Sequence, residues 1–86
     1  HLHEDKKILN RVRRLKGQIH AVEASLTQQE PSCIDVLQQV AAIKGAVNGL
    51  MNELIEEHLR EHVIKDPEAV NEQDLQEFLK LLKRYG

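Results

Sequence analysis

Three side chains in this sequence can do chemistry as a set: the lone cysteine, Cys33, and the His-x-x-x-His pair His58 and His62. A thiolate and two imidazoles form a donor set suited to a divalent transition ion. The thiolate by itself is also a nucleophile toward a small electrophile. Spacing of four on a helix puts His58 and His62 on one face, as a two-imidazole clamp requires. Cys33 and His58 differ by 25 positions, or about 2500°, which leaves them within roughly 20° of one face. Along a single helix they would lie about 37 Å apart, too far for one ion to bridge. Two such helices packed antiparallel remove the difficulty. Cys33 of one chain then meets His58 and His62 of the other, the crossing falls near residue 46, and two equivalent sites form. Spacing alone points to a symmetric dimer with a shared thiolate–imidazole site.

The elements that must position these residues follow from the breaks in the pattern. Residues 1–3 form an arm carrying His1 and His3. Glu4 and Asp5 then open a helix where acids favour the dipole. Ile8, Val12, Leu15, Ile19, Val22 and Leu26 repeat at 4-3-4-3-4, predicting a helix over about residues 4–27. Gly17 weakens it by about 1 kcal/mol relative to Ala and predicts a close approach of another backbone. QQEP, residues 28–31, is the first break. Ser32 with Asp35 three residues on reads as a helix cap, so Cys33 takes the first helical position. Open backbone N–H groups there favour the thiolate form.

The second helix is expected over residues 32–65, with an apolar stripe of Leu37, Val40, Val47, Met51, Leu54 and Ile55. Ala41, Gly45 and Gly49 add a row of small residues that lets another helix come close. DPEAV, residues 66–70, is the second break. A third helix follows over 71–85, started by Asn71 and Asp74, with Leu75, Phe78, Leu79 and Leu82 inward. Lys80, Lys83 and Arg84 lie toward its C-terminus, where cations suit the dipole. The expected fold is all-α, one domain over residues 1–86.

Composition agrees with helices and excludes several functions. Aromatic residues are 2% of the chain, hydrophobic residues 41% and charged residues 30%. At 86 residues, one chain buries little core, and oligomerisation would help. No stretch approaches the roughly 18 apolar residues of a membrane span, no signal peptide is legible, and one cysteine makes no internal disulfide. A cytoplasmic protein is expected. His58 is followed by Leu59, Arg60 and Glu61, so the metalloprotease HExxH pattern is absent. There is no Gly-rich phosphate loop and no nucleophile elbow, and no enzyme is expected.

Net charge is −2, yet six of the twelve Lys and Arg residues fall between positions 6 and 16. No acid lies between Asp5 and Glu23. Patch matters more than total charge, and this one suits a DNA backbone. The contact set expected is Lys7, Arg11, Arg13, Arg14 and Lys16, with Lys44 added from the middle of the second helix. A helical interaction module using the same face on an acidic protein or a membrane is the alternative. Exposed Trp or Phe, which would favour a membrane, do not alternate with these cations.

RVRRLKGQ at 11–18, CIDVLQQVAAIKGAVNGLM at 33–51 and HLREH at 58–62 together give a strong resemblance to the CsoR/RcnR/FrmR family of small bacterial repressors. The match spans nearly the whole chain. The resemblance implies three helices per subunit, an antiparallel dimer and a dimer-of-dimers tetramer. It also implies double-stranded operator DNA as the partner, bound without a helix-turn-helix and released when an effector fills the Cys/His site. In the family's copper(I) sensors the position matching His62 is a second cysteine; His62 here makes the site harder. That resembles the nickel/cobalt branch, implying Ni(II) or Co(II), with Zn(II) also compatible, on Cys33, His58 and His62. In that branch an N-terminal histidine, here His3 or His1, completes the set. The formaldehyde-sensing branch keeps the matching cysteine and first histidine, lacks the second, and uses an N-terminal amine. RVRR is close to that branch, so formaldehyde is the alternative effector.

Overall fold

Asp5 starts the first helix by accepting, through Oδ1, from the backbone N–H of Lys7 at 2.9 Å and of Ile8 at 3.1 Å. Two of the donors a helix start leaves open are thereby satisfied. In the computed structural model, which describes residues 5–64 and 66–85, helix α1 then runs Lys6–Leu26 and closes on Thr27. His1 and His3 lie outside the described residues. Ser32 caps α2 in the same manner, its Oγ accepting from the N–H of Asp35 at 3.3 Å. Helix α2 spans Cys33–His58, so Cys33 does hold the first helical position.

Beyond His58 the expected helix over 32–65 changes character. Leu59–Val63 form a π-helical turn, in which the N–H of Ile64 donates to the carbonyl of Leu59 at 2.7 Å. Asp66 then receives the N–H of Glu68 at 3.0 Å and opens a short 3-10 turn over Pro67–Ala69. Asn71 accepts from the N–H of Asp74 at 3.1 Å and starts α3, Glu72–Tyr85. Three α-helices and no strand occur among the described residues, as the all-α reading expects.

Helices α1 and α2 form an antiparallel hairpin, since Lys7 and Arg11 near the start of α1 pair with Glu53 near the end of α2. Helix α3 returns along the same end of α2. Inward residues recur at Ile8, Leu15 and Val22 on α1 and at Val36, Ile43, Ala46 and Leu50 on α2. Only half of the expected α1 stripe is used within the chain; Val12, Ile19 and Leu26 stay exposed. On α2 the difference is larger. Leu37, Val40, Val47 and Met51 all face outward, and the inward stripe is the neighbouring one. The reason is that α2 is apolar on two faces, and the hairpin can cover only one. In α3, Leu75, Leu79 and Leu82 turn inward as expected, whereas Phe78 is exposed.

Among the described residues only Ile8 and Leu79 are buried, each 8% exposed. The Cα radius of gyration is 16.9 Å, against about 12 Å for a compact chain of this length. Extents of 57 × 27 × 14 Å describe a thin slab. Among the described residues, Leu37, Val40, Val47 and Met51 on α2 and Val12, Ile19 and Leu26 on α1 remain uncovered. Gly17, expected to mark a close approach, has nothing within 4 Å of where a Cβ would stand, while at Gly49 a Cβ would lie 2.6 Å from Nη1 of Arg11. The close approach within the chain is therefore at Gly49, and it is made by a guanidinium.

Candidate functional site

Cys33 is a free, exposed thiol at the first position of α2. His58 is the last residue of the same helix, and His62 stands in the π turn that follows. Their rings lie 5.2 Å apart between centroids and are tilted by 39°. Both side chains are exposed, so the pair faces solvent. The structure brings the two histidines together and keeps Cys33 away from them. The 26 residues of α2 run as unbroken helix from Cys33 to His58, about 37 Å at about 1.5 Å per residue. Among the described residues, no three His, Cys, Asp or Glu side chains of one chain gather where they could hold a metal ion.

The turn carrying His62 is tied down by Arg60. Its Nη1 and Nη2 donate to the two carboxylate oxygens of Glu72 at 2.8 and 3.0 Å, and Nε donates to Glu56 at 3.4 Å. This fork holds the Glu72 carboxyl below the usual range and raises the guanidinium further above its own. The ion pair is thus complete at neutral pH and weakens only as acid protonates Glu72 below the ordinary carboxylate value. Glu57 behaves oppositely. Burial, its hydrogen bond with Glu61 and the nearby charge of Asp5 push its carboxyl up.

The basic face divides in two. Nζ of Lys7 lies 3.1 Å and Nη2 of Arg11 3.5 Å from the same Oε1 of Glu53, and Arg11 crosses α2 over Gly49. Counting acids along the chain missed this partner because Glu53 stands on another helix. Arg13, Arg14 and Lys16 are exposed on α1, and Lys44 is exposed on the outer face of α2. Arg13, Lys16 and His20 line one side of an open groove of about 540 Å³ on α1. His20 was absent from the expected contacts, although its spacing of four from Lys16 signals the shared face. Where α1, α2 and α3 meet, a second cavity of about 210 Å³ is lined by Arg11, Asn52, Glu53, Glu56 and Lys80 among others.

Residues 4–84 match the family described as metal-sensitive transcriptional repressor. The chain belongs to that family. A relative from Serratia marcescens, called an uncharacterized protein in the bioA 5' region, is 46% identical over 88 residues, covering 99% of this chain and 96% of its own. The transcriptional repressor RcnR of Salmonella paratyphi B is 42% identical over 85 residues, covering 98% of this chain and 93% of its own. The family is one of metal-responsive regulators of transcription rather than enzymes. Among the described residues, no helix is long and apolar enough to cross a membrane.

Proposed function

We propose that this chain is a cytoplasmic repressor that binds operator DNA and releases it when Ni(II) or Co(II) occupies a site shared between two subunits. Cys33 of one chain and His58 and His62 of its antiparallel partner would be the protein ligands, with His3 or His1 completing the set. The observation that supports this most is the arrangement of α2. Exposed donors stand at its two ends, a continuous helix separates them, and an uncovered apolar stripe of Leu37, Val40, Val47 and Met51 runs between. Antiparallel pairing of that stripe covers it and closes both sites at once. One thiolate with imidazoles fits these ions, and the fit does not depend on raw affinity, which the Irving–Williams order makes misleading. Bound metal would supply the cross-link between subunits. Two such dimers would assemble into a tetramer.

DNA would be held by Arg13, Arg14 and Lys16 on α1 and by Lys44, with Lys7 and Arg11 joining by exchanging Glu53 for phosphate. The helices here are long hairpin elements and offer no short helix-turn-helix pair for the major groove. Phosphate contacts and DNA shape would then dominate. Affinity should fall steeply with salt, log K changing with log[salt] by about −0.9 per neutralised phosphate. Arg14→Ala is expected to weaken binding to every sequence and to flatten that slope by about one unit, read by gel shift across a salt series. An unchanged slope would remove Arg14 from the contact surface. Release by metal requires a coupling free energy typically of about 1–3 kcal/mol between the two sites.

A further inference from the structure

A π-helical turn needs help from its surroundings. Its hydrogen bonds span one residue more than those of an α-helix, and single turns of this kind are rare and concentrate at functional sites. In this chain the turn begins directly after His58 and contains His62, so whatever holds it also sets their separation. Arg60 stands in its middle, and its guanidinium is engaged at three points. Glu56 lies one turn earlier on α2, and Glu72 is the first residue of α3. Beneath this staple, Ile64 and Val70 help close a cleft of about 220 Å³. The Arg60 and Glu72 side chains are 35% and 60% exposed, and ion pairs between such groups add little to stability. Their effect is one of geometry. The two parallel N–H···O bonds fix direction as well as distance, which a lysine ammonium cannot reproduce.

We propose that Arg60 is a positioning residue for the imidazole pair: through its fork on Glu72 it sets the geometry of His58 and His62 and joins α3 to the effector site. This rests on the reading of those histidines as metal ligands. Helix α3 then senses the site, because any shift of the turn on binding metal must move Glu72 or break the fork.

The test uses full-length protein with Co(II) as the probe, in Arg60→Lys, Glu72→Gln, the double variant and the charge swap Arg60→Glu with Glu72→Arg. Each single change is expected to weaken Co(II) binding by about tenfold, the lower end for supporting residues around a metal site. It should also shift the ligand-field absorption and speed hydrogen exchange at the Ile64 amide in metal-free protein. The double variant should be no worse than the weaker single, because both act through one contact, and the charge swap should recover part of the loss. Wild-type spectrum and affinity in both singles would overturn the proposal, as would additive losses. If Arg60→Lys fails to fold, the exposed Glu72→Gln decides alone. Cys33→Ala is the separate control. If it keeps the thiolate-to-cobalt absorption, the shared-site reading fails whatever Arg60 does.

Discussion

Val40→Asp is expected to abolish the dimer while leaving the helical hairpin of each chain intact. In the single chain Val40 is 48% exposed on the outer face of α2, so its loss removes little internal packing. In the proposed antiparallel pair the same residue comes opposite Met51 of the second copy, and the substitution places an unpaired carboxylate in an apolar seam. Burying such a charge without a partner costs roughly 4 kcal/mol, about a thousandfold in dissociation constant. Sedimentation equilibrium would show a monomer at concentrations where the unaltered chain is associated. Thermal melting should fall as well, because a chain in which only Ile8 and Leu79 are buried among the described residues would gain stability from the proposed pairing. A Val40→Asp protein that still associates normally would place the interface on another face.

Cys33→Ala should leave DNA binding by the metal-free protein unchanged and remove its response to metal. The affinity for Co(II) should fall by at least about a hundredfold, since even residues that merely support a ligand are worth about 10–100-fold. The near-ultraviolet thiolate-to-cobalt absorption should vanish. His62→Ala separates the two effector chemistries at this thiol. A metal sensor loses its response with the second imidazole, whereas a formaldehyde sensor retains it, because that chemistry needs only the thiolate and an amine. Retention of the Ni(II) response in Cys33→Ala would contradict the donor set.

Much of the fold was legible because its punctuation is local. Ser32 and Asp35 announce the start of α2 within one turn, and the two proline-containing breaks delimit three helices. The direction of the outer stripe was not legible. Val36, Ile43 and Leu50 make as good an apolar row as Leu37, Val40 and Val47, and periodicity cannot tell which row faces the same chain. The π turn also escaped sequence reading. The contact that ties it to α3, Arg60 on Glu72, joins residues twelve positions apart, while His58 and His62 keep the spacing of an ordinary helix. Glu53 was missed for the same reason, being remote in sequence from Lys7 and Arg11 and adjacent only after the hairpin closes. Local chemistry was readable; contacts between elements were not.

The shared site can be tested by mixing two proteins that are each inactive. Cys33→Ala lacks the thiolate, and the double variant His58→Ala with His62→Ala lacks both imidazoles, so neither binds Co(II) with thiolate absorption by itself. If donors come from different subunits, a mixed dimer contains one site with all its ligands and one with none. Unfolding the two together in equal amounts and refolding them should restore about one quarter of the unaltered protein's absorption, since about half the dimers are mixed and each holds one of two symmetric sites. No recovery, from a mixture shown by mass to contain mixed dimers, would mean that the cysteine and the histidines do not meet across the subunit boundary.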